Sequence, residues 1–366
     1  MRAALLEASE KPLAIVDDVD IEDPRVGEVR VRVSHCGVCH SDLSIVNGTF
    51  PFVGPTVLGH EAAGVVDSVG TGVTSVAPGD KVVLTPIAVC NACYWCARGE
   101  YGCCVNAMAI STGTFNDGHT PLSRHGLPVL RGVGLGGFAE YVITNETGAI
   151  KVAPDTPLEI ACVIGCAVQT GVGAVLNTAR VPEGATVFVA GAGGIGVSIV
   201  QGARIAGATK IIVSDPVEGR RKMAKRFGAT DVIDPTTDDV LGAVQEVTGG
   251  IGVDFAFDAV GAGPVIESCI WATRNGGTTV MVGVGGIDQT VSLAPPLVFT
   301  VTERKLMGCL LGSSNGRRDI PRLLDLWRAG RLDLESMITA RRPLSEVNDA
   351  FADMTAGLGL RTVLTV

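Results

Sequence analysis

The sequence predicts an α/β protein built from a doubly wound parallel sheet and a separate β-rich unit. Residues 1 to about 150 carry short alternating strands between Gly and Pro turns. From 168 to 305 strand and helix patterns alternate, which places parallel strands in one sheet with helices between them. The third observation is a glycine-rich turn, "GAGGIG", where the first strand of that second stretch passes into a helix.

In order, "EVRVRVSHCGV", "GHEAAGVVDSVG", "GDKVVLTP" and "GFAEYVI" read as the strands of the β-rich unit. "ATVFVAGAGG" is a buried strand, and "GIGVSIVQGARIAGA" has a helical period. "KIIVSD" and "VEGRRKMAKRFGA" repeat the pair, followed by strands "DVI", "VDFAFDAVG" and "TTVMVGVG", with "GPVIESCIWATRNGG" as a helix before the last. The final sixty residues hold one amphipathic helix, "RDIPRLLDLWRAG", and a terminal strand, "LRTVLTV".

Composition narrows the function classes. The chain has 366 residues, 46% hydrophobic and 18% charged, which is a globular composition with room for two domains. A net charge of -9 argues against nucleic acid or an anionic membrane as partner. The opening "MRAALLEASEKPLAIV" has no continuous apolar core and does not read as a signal peptide, so a cytoplasmic protein is expected.

"VFVAGAGGIG" holds G-x-G-x-x-G at Gly191, Gly193 and Gly196, with Gly194 inside the turn. Following a strand and opening a helix, it predicts a Rossmann dinucleotide site in which the backbone approaches a pyrophosphate at the helix N-terminus. The next strand ends in Asp215, placed to hydrogen-bond a ribose 2′-hydroxyl and repel a 2′-phosphate. NAD(H) is therefore expected over NADP(H), although Arg220 and Arg221 follow closely.

"CNACYWCARGEYGCC" puts five cysteines into fifteen positions, from Cys90 to Cys104. Cys90, Cys93, Cys96 and Cys104 read C-x2-C-x2-C-x7-C, a spacing that closes a tetrahedron around one structural zinc. Disulfides and a redox pair are the alternatives, disfavoured by a reducing compartment and by three overlapping cysteines. On spacing alone Cys103 would serve as well as Cys104.

"CGVCHSD", "LGHEAAG" and "VIGCAVQTG" supply Cys39, His60 and Cys166. Two cysteines, one histidine and a water would make an open catalytic zinc, as in alcohol dehydrogenase. Nothing in the spacing pairs these three. The chain resembles the zinc-dependent medium-chain alcohol dehydrogenases over nearly its whole length, from "CGVCHSD" through "GHEAAGVV", "PGDKVV", the cysteine loop, "GAGGIG" and "VDFAFDAVG" to "RTVLTV". The resemblance implies that Cys39, His60 and Cys166 hold a catalytic zinc and that Cys104 closes the structural one. It implies Ser41 at the substrate oxygen, Asp42 orienting the histidine, and Glu61 behind the metal. It places His40 and Arg361 at the pyrophosphate, Thr170 and Val284 by the nicotinamide, and Arg220 beside Asp215. The fold it implies is a discontinuous GroES-like catalytic domain, residues 1–167 and 306–366, around a Rossmann domain, 168–305. Zinc would acidify the substrate hydroxyl and hydride would pass to NAD+.

Some family members carry a histidine five residues after the first zinc ligand, where this chain has Ser44. The proton relay would then end in water, the cofactor ribose or His40. Two positions often aromatic in the family are Pro86 and Gly132 here, which leaves a roomy channel unless other side chains fill it. Phe50, Phe52, Val284 and Leu310 are further candidate walls. A bulky primary alcohol or aldehyde, aromatic or terpenoid-like, is expected. The long loop from Val105 to Val133 resembles that of animal and thiol-dependent formaldehyde dehydrogenases, which are commonly homodimers; a tetramer is the other arrangement. Arg124 and Arg131 in that loop would serve a thiol adduct of formaldehyde, formed with glutathione or mycothiol. A non-catalytic NAD-binding relative would be expected to lack a zinc ligand, and none is missing.

Overall fold

The computed structural model describes residues 1–293 and 295–366. It divides into two compact units, Met1–Ala167 with Asn315–Val366, and Val168–Ser314.

The second unit carries the parallel sheet. Its six strands lie in the order 231–233, 210–214, 186–190, 253–258, 273–281 and 305–308, every neighbouring pair parallel. Third, second, first, fourth, fifth, sixth is the strand order of a Rossmann sheet. The unit extends past residue 305, the boundary read from the sequence, because Lys305–Gly308 is its edge strand. Phe188, Ile212, Ala256 and Cys269 form the core under one face. The helix expected over "GPVIESCIWATRNGG" stops at Ala272. Thr273 takes extended backbone and Gly276 a left-handed φ of 71°, so "TRNGG" joins the following strand. A helix over Val240–Val247 has no counterpart in the sequence reading.

The first unit is built on Glu28–Gly37. This strand pairs antiparallel with Glu61–Val69, Tyr141–Asn145 and Arg361–Thr365. Val29, Val31 and Val33 are buried while Arg32 is exposed, the period-2 pattern of a half-buried strand. The valines join Leu58, Phe138 and Leu364 in one core. The terminal strand thus returns the chain to the unit it began in. The amphipathic helix runs from Gly316 to Arg328, buries Ile320, Leu323 and Leu324, and is capped by the Asn315 side chain, which accepts from the Arg317 amide. Among the described residues no single helix is long and apolar enough to cross a membrane.

Candidate active site and metal centres

Strand register assembles the dispersed constellation. Gly37 sits opposite Glu61 in the ladder, so the chain leaving one strand and the chain entering the other run side by side. Cys39 is the N-cap of the helix His40–Val46, and His60 directly precedes the second strand. Cys166 follows the short turn Cys162–Gly165. That turn lies so close to the sheet that a Cβ on Gly165 would meet the Leu84 carbonyl oxygen at 2.2 Å. The three donor atoms of Cys39, His60 and Cys166 lie within 4.8 Å of one another, all buried.

Asp42 organises this trio. Its carboxylate is fully buried, and Oδ1 lies 3.1 Å from His60 Nδ1 while accepting from the Gly59 amide at 2.8 Å. Oδ2 accepts from the Cys39 amide at 3.3 Å. An imidazole that donates through Nδ1 to a carboxylate presents a bare Nε2 lone pair. His60 Nε2 is buried and has no hydrogen-bond partner among the described residues. Two thiols and one imidazole nitrogen converging on one point fit zinc with one coordination position left open.

Glu61 lies fully buried behind them. Its Oε1 accepts from the Ala167 amide at 3.2 Å and faces Arg361 Nη2 at 3.3 Å. Burial pushes its carboxyl up to about 7, against the pull of the Arg361 charge. Gly37 makes room for it, since a Cβ there would meet Glu61 Oε2 at 2.3 Å. Arg361 is 5% exposed, donates to the Val38 carbonyl at 2.8 Å and pairs with Glu61, while its buried Nε has no partner among the described residues. Ser41 Oγ is 3.9 Å from Cys39 Sγ, beside the metal donors. His40 is exposed at the first turn of the same helix.

The cysteine loop closes on itself. Donor atoms of Cys90, Cys93, Cys96 and Cys104 lie within 4.8 Å of one another, whereas Cys103 is exposed and outside the group. The nearest sulfur pairs, Cys93–Cys96 at 3.5 Å and Cys90–Cys96 at 3.8 Å, are not bonded, which removes the disulfide alternative. The Cys93 amide donates to Cys90 Sγ and the Cys90 amide to Cys104 Sγ, each at 3.3 Å, as suits thiolates. Four sulfurs with no open position fit a structural zinc.

In the second unit the three fingerprint glycines have different physical reasons. Gly191 has φ 92°, a turn conformation that disfavours other residues. A Cβ on Gly196 would meet the Gly191 carbonyl oxygen at 1.8 Å, so the helix can start that close only with glycine. A Cβ on Gly193 would meet nothing within 4 Å, so the space in front of it is open for a ligand. Gly194 begins the helix Gly194–Ala206. Asp215 is buried, accepting from the Ala192 and Val217 amides at 2.8 Å each. Arg221 is committed to the Asp215 and Pro216 carbonyls and to Asp234, while Arg220 keeps a buried Nε with no partner. Thr170 is buried and Val284 exposed.

Asp258, at the carboxyl end of the fourth strand, carries a role the sequence reading did not assign. It is fully buried, accepts from the Val260 and Gly261 amides at 3.0 Å, and burial pushes its carboxyl up. It holds a loop that crosses its neighbour without side chains, since a Cβ on Gly283 would meet the Gly261 nitrogen at 2.4 Å. Ligands of doubly wound sheets sit outside these strand ends.

The substrate-wall expectations fare less well. Phe50 and Phe52 pack against the first unit's core. A Cβ on Gly132 would meet Leu58 Cδ2 at 2.5 Å, so a leucine side chain fills the space immediately beside this glycine. Pro86 is buried. Leu310 is 42% exposed in the second unit. Of the two arginines proposed for a thiol's charged arm, Arg124 is paired with Asp18 and Glu7, and Arg131 is 2% exposed.

Residues 25–155 match the model of the alcohol dehydrogenase GroES-like domain, and residues 194–329 that of the zinc-binding dehydrogenase. The chain is 40% identical to S-(hydroxymethyl)glutathione dehydrogenase of Escherichia coli O1:K1 over 369 residues, covering 99% of both chains. Among solved structures, an alcohol dehydrogenase zinc-binding domain protein from Burkholderia ambifaria superposes with a TM-score of 0.94 at 37% identity, covering 100% of this chain and 98% of that one. Benzyl alcohol dehydrogenase from Acinetobacter calcoaceticus gives 0.93 at 29% identity, covering 100% and 99%.

Proposed function

The chain belongs to the zinc-dependent medium-chain alcohol dehydrogenase family, and within it we propose an NAD-linked enzyme for bulky primary alcohols and their aldehydes. The observation that carries the proposal is the buried trio of Cys39, His60 and Cys166 with an unpartnered His60 Nε2. These residues would hold one zinc, which when bound supplies Lewis acidity toward a substrate hydroxyl, and the nicotinamide supplies the hydride acceptor.

The remaining work falls to the protein. Asp42 fixes the His60 ring and its tautomer through Nδ1. Ser41 Oγ takes the proton that leaves the substrate hydroxyl and hands it outward. With Ser44 further along the helix, the exit is water, the cofactor ribose or exposed His40. If His40 is the exit base, His40→Ala shifts the pH profile of hydride transfer; an unchanged profile excludes it. The open backbone at Gly193 and the helix behind it receive the pyrophosphate. Asp215 selects the ribose hydroxyls of NAD, and with Arg221 committed elsewhere only Arg220 is left to favour a 2′-phosphate.

The aromatic substrate class is supported by the benzyl alcohol dehydrogenase likeness at 0.93 TM-score. The likeness to S-(hydroxymethyl)glutathione dehydrogenase at 40% identity favours a second reading, a formaldehyde–thiol adduct. Against it stand the committed Arg124 and buried Arg131. An NAD-linked screen decides: aromatic and terpenoid alcohols against formaldehyde alone, with glutathione and with mycothiol. Thiol-dependent formaldehyde oxidation exceeding benzyl alcohol turnover would replace the first reading with the second.

A homodimer in the cytoplasm completes the proposal. Strand Lys305–Gly308 is a sheet edge whose own Met307 is 39% exposed, and the helix Pro296–Val301 shortly before it exposes Leu297 and Val301 at 69% and 67%. An apolar edge of this kind invites pairing with a second copy. Light scattering on the purified protein would separate a dimer from a tetramer.

A further inference from the structure

The long loop contains a buried cation that makes no direct ion pair among the described residues, with Glu28 and Asp117 acting on it only from a distance. Arg131 ends the strand Leu127–Arg131 and is 2% exposed. Its Phe115-facing side is closed, with the ring centroid 3.6 Å from the guanidinium carbon. One nitrogen, Nη1, donates to the Ile143 carbonyl at 3.3 Å. The other two, Nε and Nη2, are buried and have no hydrogen-bond partner among the described residues. No salt bridge reaches Arg131 among the described residues, and burial pushes its pKa down to about 10, a value that leaves it charged at neutral pH. A buried charge costs several kcal/mol unless something pairs with it.

The same guanidinium lines a small, partly open pocket of about 20 Å³ with Pro86, Asn106, Asn116, Thr144 and Asn145. None of the residues around this pocket is acidic. Amides and a hydroxyl can donate to an anion, and a carboxylate would have competed with one. The space suits a single water-sized ion, since about 10–15 Å³ on this measure holds one water, and it is far too small for a drug-sized ligand. Asn116 donates to Asn106 Oδ1, and Asn106 Nδ2 donates to the Ala88 carbonyl at 2.5 Å, so the wall is held in place.

We propose that this pocket is a binding site for a small monovalent inorganic anion such as chloride, held by Nε and Nη2 of Arg131, whose guanidinium face is covered by the Phe115 ring. The ion neutralises the buried charge and fixes the long loop to the strand behind it. The site is independent of the zinc donors and of the substrate assignment.

The test uses the full-length zinc-loaded protein. Melting temperature is measured in chloride and in gluconate at equal ionic strength, since gluconate is too large for the pocket. Chloride is expected to raise the melting temperature to a plateau, and Arg131→Met to remove that dependence. A chloride effect that never saturates, or that survives in Arg131→Met, overturns the proposal. Crystals grown in bromide give a readout that needs no variant to fold. Anomalous density within hydrogen-bond reach of Arg131 Nη2 supports the site; density only elsewhere, or water alone in the pocket, overturns it.

Discussion

Asp42 does more per atom than any other side chain of the candidate site. One carboxylate accepts from the amides of Cys39 and Gly59 and from His60 Nδ1, so it fixes two metal donors and the turn between them. Asp42→Asn keeps the shape and removes the charge, and an amide can present N–H where His60 needs an acceptor. Losing such a partner of a metal-bound histidine costs about 10–100-fold in metal affinity or activity. We expect zinc content and kcat/KM to fall together within that range while NADH affinity stays level. Unchanged zinc affinity would show that His60 is oriented by its packing alone. Asp42 was legible in the sequence only through family resemblance, because a buried carboxylate and an exposed one look alike in "CHSD". Arg131 was misread for the same reason: in a loop of Gly, Ser, Asn and Thr an arginine reads as solvated, and only the fold buries it.

At the scale of elements, two loops were legible because their chemistry is local. The fingerprint completes its geometry within one turn, and the cysteine cage within fifteen residues. Gly196→Ala and Gly193→Ala should nonetheless differ. A Cβ at Gly196 collides with the Gly191 carbonyl at 1.8 Å, whereas one at Gly193 enters open space. Both substitutions should weaken NADH binding in a fluorescence titration, but only Gly196→Ala should also lower the melting temperature. A Gly193→Ala variant that binds NADH normally would place the pyrophosphate elsewhere. In the cysteine loop, Cys104→Ser should cost one zinc per chain by elemental analysis, and Cys103→Ser none. The substrate walls were not legible. Whether Gly132 opens a channel depends on Leu58, which follows the distant strand Thr56–Val57, and periodicity carries no information about that contact.

The scale of the whole molecule explains the scattered zinc donors. Residues 39, 60 and 166 meet because Gly37 pairs with Glu61 and because a glycine lets the turn before Cys166 press on Leu84. Such register is a property of the folded sheet, and only resemblance to a known family could supply it beforehand. The last strand adds a further long-range tie. Val363 pairs with Gly37, which brings Arg361 to Glu61 from the far end of the chain. Both partners are buried, but without Arg361 the Glu61 carboxyl, already near 7, keeps its proton at neutral pH, so the loss stays below the ~3–5 kcal/mol of a stranded buried charge and grows as pH rises. Arg361→Leu should therefore destabilise the first unit by less than that in denaturant unfolding at neutral pH. The double variant Glu61→Gln with Arg361→Leu should recover part of the loss, since the amide carries no charge to strand. Simple additivity of the two losses would mean that the ion pair contributes nothing, and that Arg361 is held by the Val38 carbonyl alone.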